Sequence, residues 1–166
     1  MANTVANVTI AALDSLVLGG TTVGFTGAPF TVSCDSPRTK FFAEQSFSAI
    51  ISSMTERNFT CGCQLLENTP ENVATVWSLP AAAIVTPSNK ILSLSTSDRG
   101  NITISAVGKA GSAPGTSKTR TFYFQGAVPT GAVETQIAKS DISRLNVTFD
   151  CLANSSGDVG TMTDTV

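Results

Sequence analysis

Glu56-Arg57-Asn58-Phe59-Thr60-Cys61-Gly62-Cys63-Gln64-Leu65 opens the stretch, running on to Pro80, whose reading decides the fold. Phe59, Cys61, Cys63 and Leu65 stand two apart and share one face of a strand; Asn58, Thr60, Gly62 and Gln64 take the other. After Glu67-Asn68 comes a helix start. Thr69 suits the N-cap, Pro70 the first helical position, and Glu71 puts a carboxylate in the positive first turn. Asn72 stands where a capping box takes Glu or Gln, so that motif is incomplete. Val73, Val76 and Trp77 make one apolar stripe, and Pro80 closes the helix. The spacing predicts a strand delivering one short helix, at about 70–79, whose Val73, Val76 and Trp77 pack inward on a sheet.

Outward from this stretch, nearly everything reads as β. Before it, Leu16-Val17-Leu18 is stopped by Gly19-Gly20, and Val23 with Phe25 alternates up to Gly27-Ala28-Pro29. Phe30, Val32 and Cys34 restart the alternation. Residues 1–14 read as an extended arm. After the helix, 81–87 is a linker, and Ile91, Leu92 and Leu94 begin a strand. Ser97-Asp98-Arg99-Gly100 is a turn, and Ile102, Ile104 and Ala106 continue with period two. Residues 109–118 form a loop rich in small residues, and 119–126 a strand with Phe122 and Phe124 on one face. Residues 127–132 turn, and 133–138 form a short strand. Leu145, Val147, Phe149 and Cys151 make the last strong strand, opposed by Asn146, Thr148 and Asp150. The expected fold is mainly β, a sandwich or rolled barrel with one flanking helix. It forms a single domain over 1–153, with a loose polar tail over 154–166.

Residues 36–55 have no clean period. Asp35-Ser36-Pro37 signals a turn, after which Arg38, Lys40 and Glu44 mix with Phe41, Phe42, Phe47, Ile50 and Ile51. A loop this long in a small domain is usually functional or an extended hairpin. The five apolar residues are the candidate subunit interface, on a projecting hairpin or loop; a core hairpin is the other reading.

Composition narrows the function. At 166 residues the chain is long enough for a core. A net charge of −2 speaks against a dedicated nucleic-acid binder. Only 13% of residues are charged, against roughly 25% in ordinary soluble proteins. A surface so poor in charge fits one that becomes covered in an assembly, and equally a Thr/Ser-rich β-domain that uses hydroxyls instead. There is no histidine, which removes the commonest general base and metal ligand. The sequence contains no Gly-x-Ser-x-Gly and no P-loop. Glu67 and Glu71 flank a helix start, where acids are expected anyway. No catalytic, cofactor or metal residue is assigned, and an enzyme is not expected.

Cys34, Cys61, Cys63 and Cys151 each fall in an alternating apolar pattern and read as small buried hydrophobes in the reduced state. Five sequons, at Asn7, Asn58, Asn101, Asn146 and Asn154, would suit a secreted glycoprotein. Met1 to Thr9 lacks the pattern of a signal peptide, so the Asn-Val-Thr, Asn-Phe-Thr and Asn-Ile-Thr sites read as polar–apolar–polar strand steps. No apolar run reaches membrane-spanning length.

The order of the pieces carries a resemblance. A hairpin around Val23-Gly24-Phe25-Thr26 leads to the long loop. The strand 57–65 runs into Leu66-Glu67-Asn68-Thr69-Pro70-Glu71-Asn72-Val73-Ala74-Thr75-Val76-Trp77. Thr121-Phe122-Tyr123-Phe124 then precedes a closing Leu145-Asn146-Val147-Thr148-Phe149-Asp150-Cys151-Leu152. Over residues 4–153 this resembles the tail tube (major tail) proteins of long-tailed bacteriophages. The resemblance implies homohexameric rings, sheets joined edge to edge, stacked into a tube that conducts DNA without binding it specifically. It implies a virion protein, assembled in the host cytoplasm, whose partners are itself, the tape measure, the tail terminator and the distal tail protein. It also places subunit and ring-to-ring contacts on the loop before the helix strand. The alternative class is an extracellular Ig-like adhesion or binding domain with disulfides and glycans.

Overall fold

Period-two alternation becomes eight strands of one antiparallel sheet in the computed structural model, which describes residues 11–24, 26–41, 51–54, 56–67, 69–80, 92, 94, 96–110, 119–133 and 144–165. In chain order the strands are β1 (Ala11–Leu18), β2 (Thr21–Val23), β3 (Thr26–Asp35), β4 (Arg38–Phe41), β5 (Ile51–Met54) and β6 (Asn58–Leu65). Helix α1 (Pro70–Val76) follows, then β7 (Ile102–Ala110), β8 (Thr119–Thr130), β9 (Leu145–Cys151) and β10 (Gly160–Thr165). The sheet runs β2-β1-β7-β8-β9-β6-β3, with β10 also on β8. β1 and β3, from distant places in that order, come back into contact, so the sheet is rolled. The protein is therefore mainly β with one short helix, as expected.

The alternation in β6 and β9 is what fills the roll. Cys61, Cys63, Leu65, Leu145, Val147, Phe149 and Cys151 are buried, and Leu16, Leu18, Ile102, Ile104, Ala106 and Phe124 meet them from β1, β7 and β8. Helix α1 adds Val73 and Val76 to this core, and Trp77 packs half-buried against it. Thr69 Oγ1 accepts the Asn72 N–H at 3.3 Å, as an N-cap does. Asn72 sends its own side chain the other way, donating to the Glu67 carbonyl at 3.0 Å. The helix ends before Pro80. Ser78, at φ 55°, takes the left-handed cap position, with Ser78 N–H on the Thr75 carbonyl and Leu79 N–H on the Ala74 carbonyl.

Four segments depart from the sequence reading. The first strand starts at Ala11, paired with Ala110, so the last residues assigned to the arm belong to the sheet; residues 1–10 lie outside the described part. β8 does not turn at 127 but runs to Thr130, pairing Ala127–Thr130 with β9. The tail is not loose: β10 pairs with Thr119–Phe124 of β8 along its whole length. Leu92 and Leu94 are not in strand, and Leu94 is 75% exposed. The linker 81–87, the loop 111–118, residues 134–138 and Phe25 lie outside the described residues.

Candidate assembly surfaces

Pro37, with no N–H to give, follows β3 and marks where the chain leaves the main sheet. β4 and β5 then pair only with each other, in the register Arg38↔Met54, Thr39↔Ser53, Lys40↔Ser52 and Phe41↔Ile51. Among the described residues the ribbon has no third strand, and an isolated pair of strands is marginal in water. Phe41 is 54% exposed and Met54 42% exposed. Arg57 Nη2 donates to Met54 Sδ at 3.5 Å, at the base of the ribbon. Of the five interface candidates, Phe41 is thus an exposed apolar side chain on a projecting ribbon, and Ile51 is its cross-strand neighbour. Phe42, Phe47 and Ile50 lie outside the described residues, as does the Ile51 side chain. Met54, which the sequence reading passed over, joins them; its place opposite Arg38 became visible only with the register.

A second surface lies along β10. Asn154 makes the turn that brings the chain back: its Oδ1 accepts from Ser156 N–H at 2.9 Å and Asp158 N–H at 3.0 Å, while its Nδ2 donates to Gln125 Oε1 at 2.8 Å. Gly157 supplies the left-handed backbone at φ 86°. Gly160 then lies so close to β8 that a Cβ would sit 2.3 Å from the Tyr123 carbonyl oxygen. Arg120 forks onto the Asp164 carboxylate with two bonds of 2.7 Å, directly across the pair. That hydrogen bond, and then the charge of Asp164, hold the guanidinium pKa above its usual value. Among the described residues β10 pairs only with β8, so its other edge presents unpaired backbone. Beside it opens a groove of about 510 Å³ floored by Val32, Phe59, Phe122, Phe124 and Met162, the last 59% exposed.

The third surface is the outer face of β3, β6 and β9. Thr31, Thr60, Gln64, Asn146 and Thr148 line it, with Asp35 and Asp150 as its charges and no lysine or arginine on these strands' outward positions. Gln64 Nε2 donates to Asn146 Oδ1 at 2.7 Å, and Thr31 Oγ1 to the Gly62 carbonyl at 3.3 Å. Hydroxyls and amides thus satisfy one another across strands, as the composition suggests.

The cysteines divide. Cys61, Cys63 and Cys151 are buried and free; Cys34 is free but exposed, against the expectation of burial, because β3 outruns the core at that end. Burial pushes the Cys63 thiol up to about 12. Among the described residues no three His, Cys, Asp or Glu side chains gather as a metal site, and no helix is long and apolar enough to cross a membrane. No family model matches the sequence, and no curated protein matches it.

Proposed function

We propose that this chain is a structural protein that assembles, about six copies to a ring, into the stacked tube of a long-tailed phage. The observation that carries this reading is the β4–β5 ribbon, which holds Phe41 and Met54 in solvent and, among the described residues, pairs with no third strand. Such a ribbon is stabilised by a neighbouring copy, which covers the apolar side chains and leaves Arg38 and Lys40 at a rim. The edge of β10 that pairs with no other strand among the described residues supports the same reading, since an assembly uses an edge that a monomer would blunt. The resemblance supplies the geometry of rings and the partners: tape measure, terminator and distal tail protein.

The face whose charges are Asp35 and Asp150 suits a lumen. Phosphates there find hydroxyls and amides but no cation to neutralise them, so DNA slides without adhering. Six chains at −2 give the ring about −12. The test replaces residues 40–52 by an Asn-Gly turn, which joins the opposed pair Thr39 and Ser53. The expected product is a folded, soluble domain that forms no tubes. A variant that still polymerises would show that the ribbon is not the assembly element.

A further inference from the structure

We propose that Cys61 and Cys151 are a redox site that closes to a cross-strand disulfide when the protein meets a peroxide. The two residues lie on neighbouring strands two residues out of register: Phe59 faces Cys151, and Cys61 faces Phe149. Both side chains lie on the core face, with their sulfurs 3.7 Å apart and the Cys151 S–H donating to Cys61. The other cysteines have no such partner. Cys63 faces Val147, and Cys34 is exposed at the end of β3, opposite Phe59.

A diagonal pair is a demanding site for a disulfide. Such positions lie about 7–8 Å apart at Cα, beyond the roughly 6.8 Å that the bond ordinarily spans. The strands must give for the sulfurs to close to about 2.05 Å. The fold permits this at one end, because Cys151 is the last residue of β9. Beyond it the chain holds β8 through the Leu152 N–H on the Gly126 carbonyl before turning at Asn154. The resulting bond is strained, and strained disulfides are easily reduced, so this is a reversible site and not a permanent staple. The apolar groove gives the oxidant its approach. Phe59, opposite Cys151, and Ala153, two residues after it, both line that groove.

The oxidant class is hydrogen peroxide, small enough for a buried pair. The Cys151 thiolate attacks one peroxide oxygen; the O–O bond breaks, hydroxide leaves and takes up a proton, and Cys151 becomes a sulfenic acid. The Cys61 sulfur then attacks the Cys151 sulfur, the S–O bond breaks, and the oxygen leaves as water with the Cys61 proton. Two thiols and one peroxide give one disulfide and two waters, and the peroxide takes both electrons. Cys151 is the first to react: when it ionises the bond reverses, the Cys61 S–H donates to the thiolate, and this lowers the Cys151 pKa, while the same bond and then burial raise that of Cys61.

The test treats wild type and the variant Cys34→Ser/Cys63→Ala with hydrogen peroxide, removes the excess with catalase, then unfolds the protein in alkylating reagent. Intact mass, peptide maps and non-reducing gels are read. The expected result is a monomer lacking two hydrogens, a peptide joining Cys61 to Cys151, a raised melting temperature, and full reversal by dithiothreitol. Alkylation of both residues after treatment would overturn the proposal. So would Cys151 held as a higher oxide with Cys61 free, or a link found only between chains. If the variant fails to melt cooperatively, the wild-type peptide map decides alone.

Discussion

Replacing Arg99 with alanine should destabilise the fold far more than its place in a surface turn suggests. The sequence marks Ser97-Asp98-Arg99-Gly100 as a turn and no more. In the structure the half-buried Arg99 guanidinium ties two distant elements together. Its Nη1 donates to Thr75 Oγ1 at 2.9 Å, at the end of α1, and its Nη2 to the Gly19 carbonyl at 3.3 Å, in the β1–β2 turn. Thr75 is 2% exposed and its hydroxyl is fully used, donating onward to the Glu71 carbonyl at 3.0 Å. Hydrogen bonds to a charged group contribute about 1.5–3 kcal/mol each, and the longer one lies at the weak end, so Arg99→Ala should cost about 3–4.5 kcal/mol. Arg99→Lys should recover little, since an ammonium cannot fork to both acceptors. Urea unfolding of wild type, Arg99→Ala, Thr75→Val and the double variant, at low protein concentration, isolates the pair. A coupling of about 1–2 kcal/mol with unchanged m-values is expected. Additivity within about 0.5 kcal/mol would refute the tie between α1 and this turn.

Trp77→Ala should cost about 3 kcal/mol, the low end for a large aromatic because the ring is only half-buried. Its Nε1 donor on the Val133 carbonyl, 3.1 Å away, is lost as well, and an unchanged melting temperature would place Trp77 outside the core. Gly160→Ala should unzip β10, because its Cβ meets backbone at 2.3 Å; hydrogen exchange should then speed up across Thr161–Thr165 and leave β9 protected. The raised Cys63 thiol predicts an alkaline loss of stability. Its folded value of about 12 exceeds the ordinary thiol value of 9.0, so the contribution is complete below 9.0 and is lost as pH rises towards 12. The slope is about 1.4 kcal/mol per pH unit for one thiol, and Cys63→Ala should remove that share of it, as read by urea melts across this range.

The core was legible where one face is buried and the other wet. Along β6 and β9 burial alone imposes the period, and the helix start at Thr69-Pro70 is equally local. The segment read as a turn at 127–132 contains Pro129, yet it continues β8 to Thr130. Here β7 stops opposite Ala127, so beyond it β8 is an edge on that side and needs no donor. Asn154-Ser155-Ser156-Gly157 carries the composition of a turn, but the thin hydrophobicity of Gly160–Thr165 hid the strand behind it. β10 is held by backbone pairing and one ion pair, and its side chains are nearly all exposed. The β4–β5 ribbon had no readable period for a related reason: with neither face buried, nothing sorts its side chains. The groove beside β10 was out of reach altogether, because it joins residues from β3, β6, β8 and β10 that only the roll of the sheet brings together.

The central claim is tested most directly by electron micrographs of the purified chain, with rotational symmetry measured on class averages of end views, across a range of protein and salt concentrations. The account predicts rings of about six subunits that stack into tubes. Monomers alone under every condition, including after addition of preformed tube ends as seeds, would contradict it.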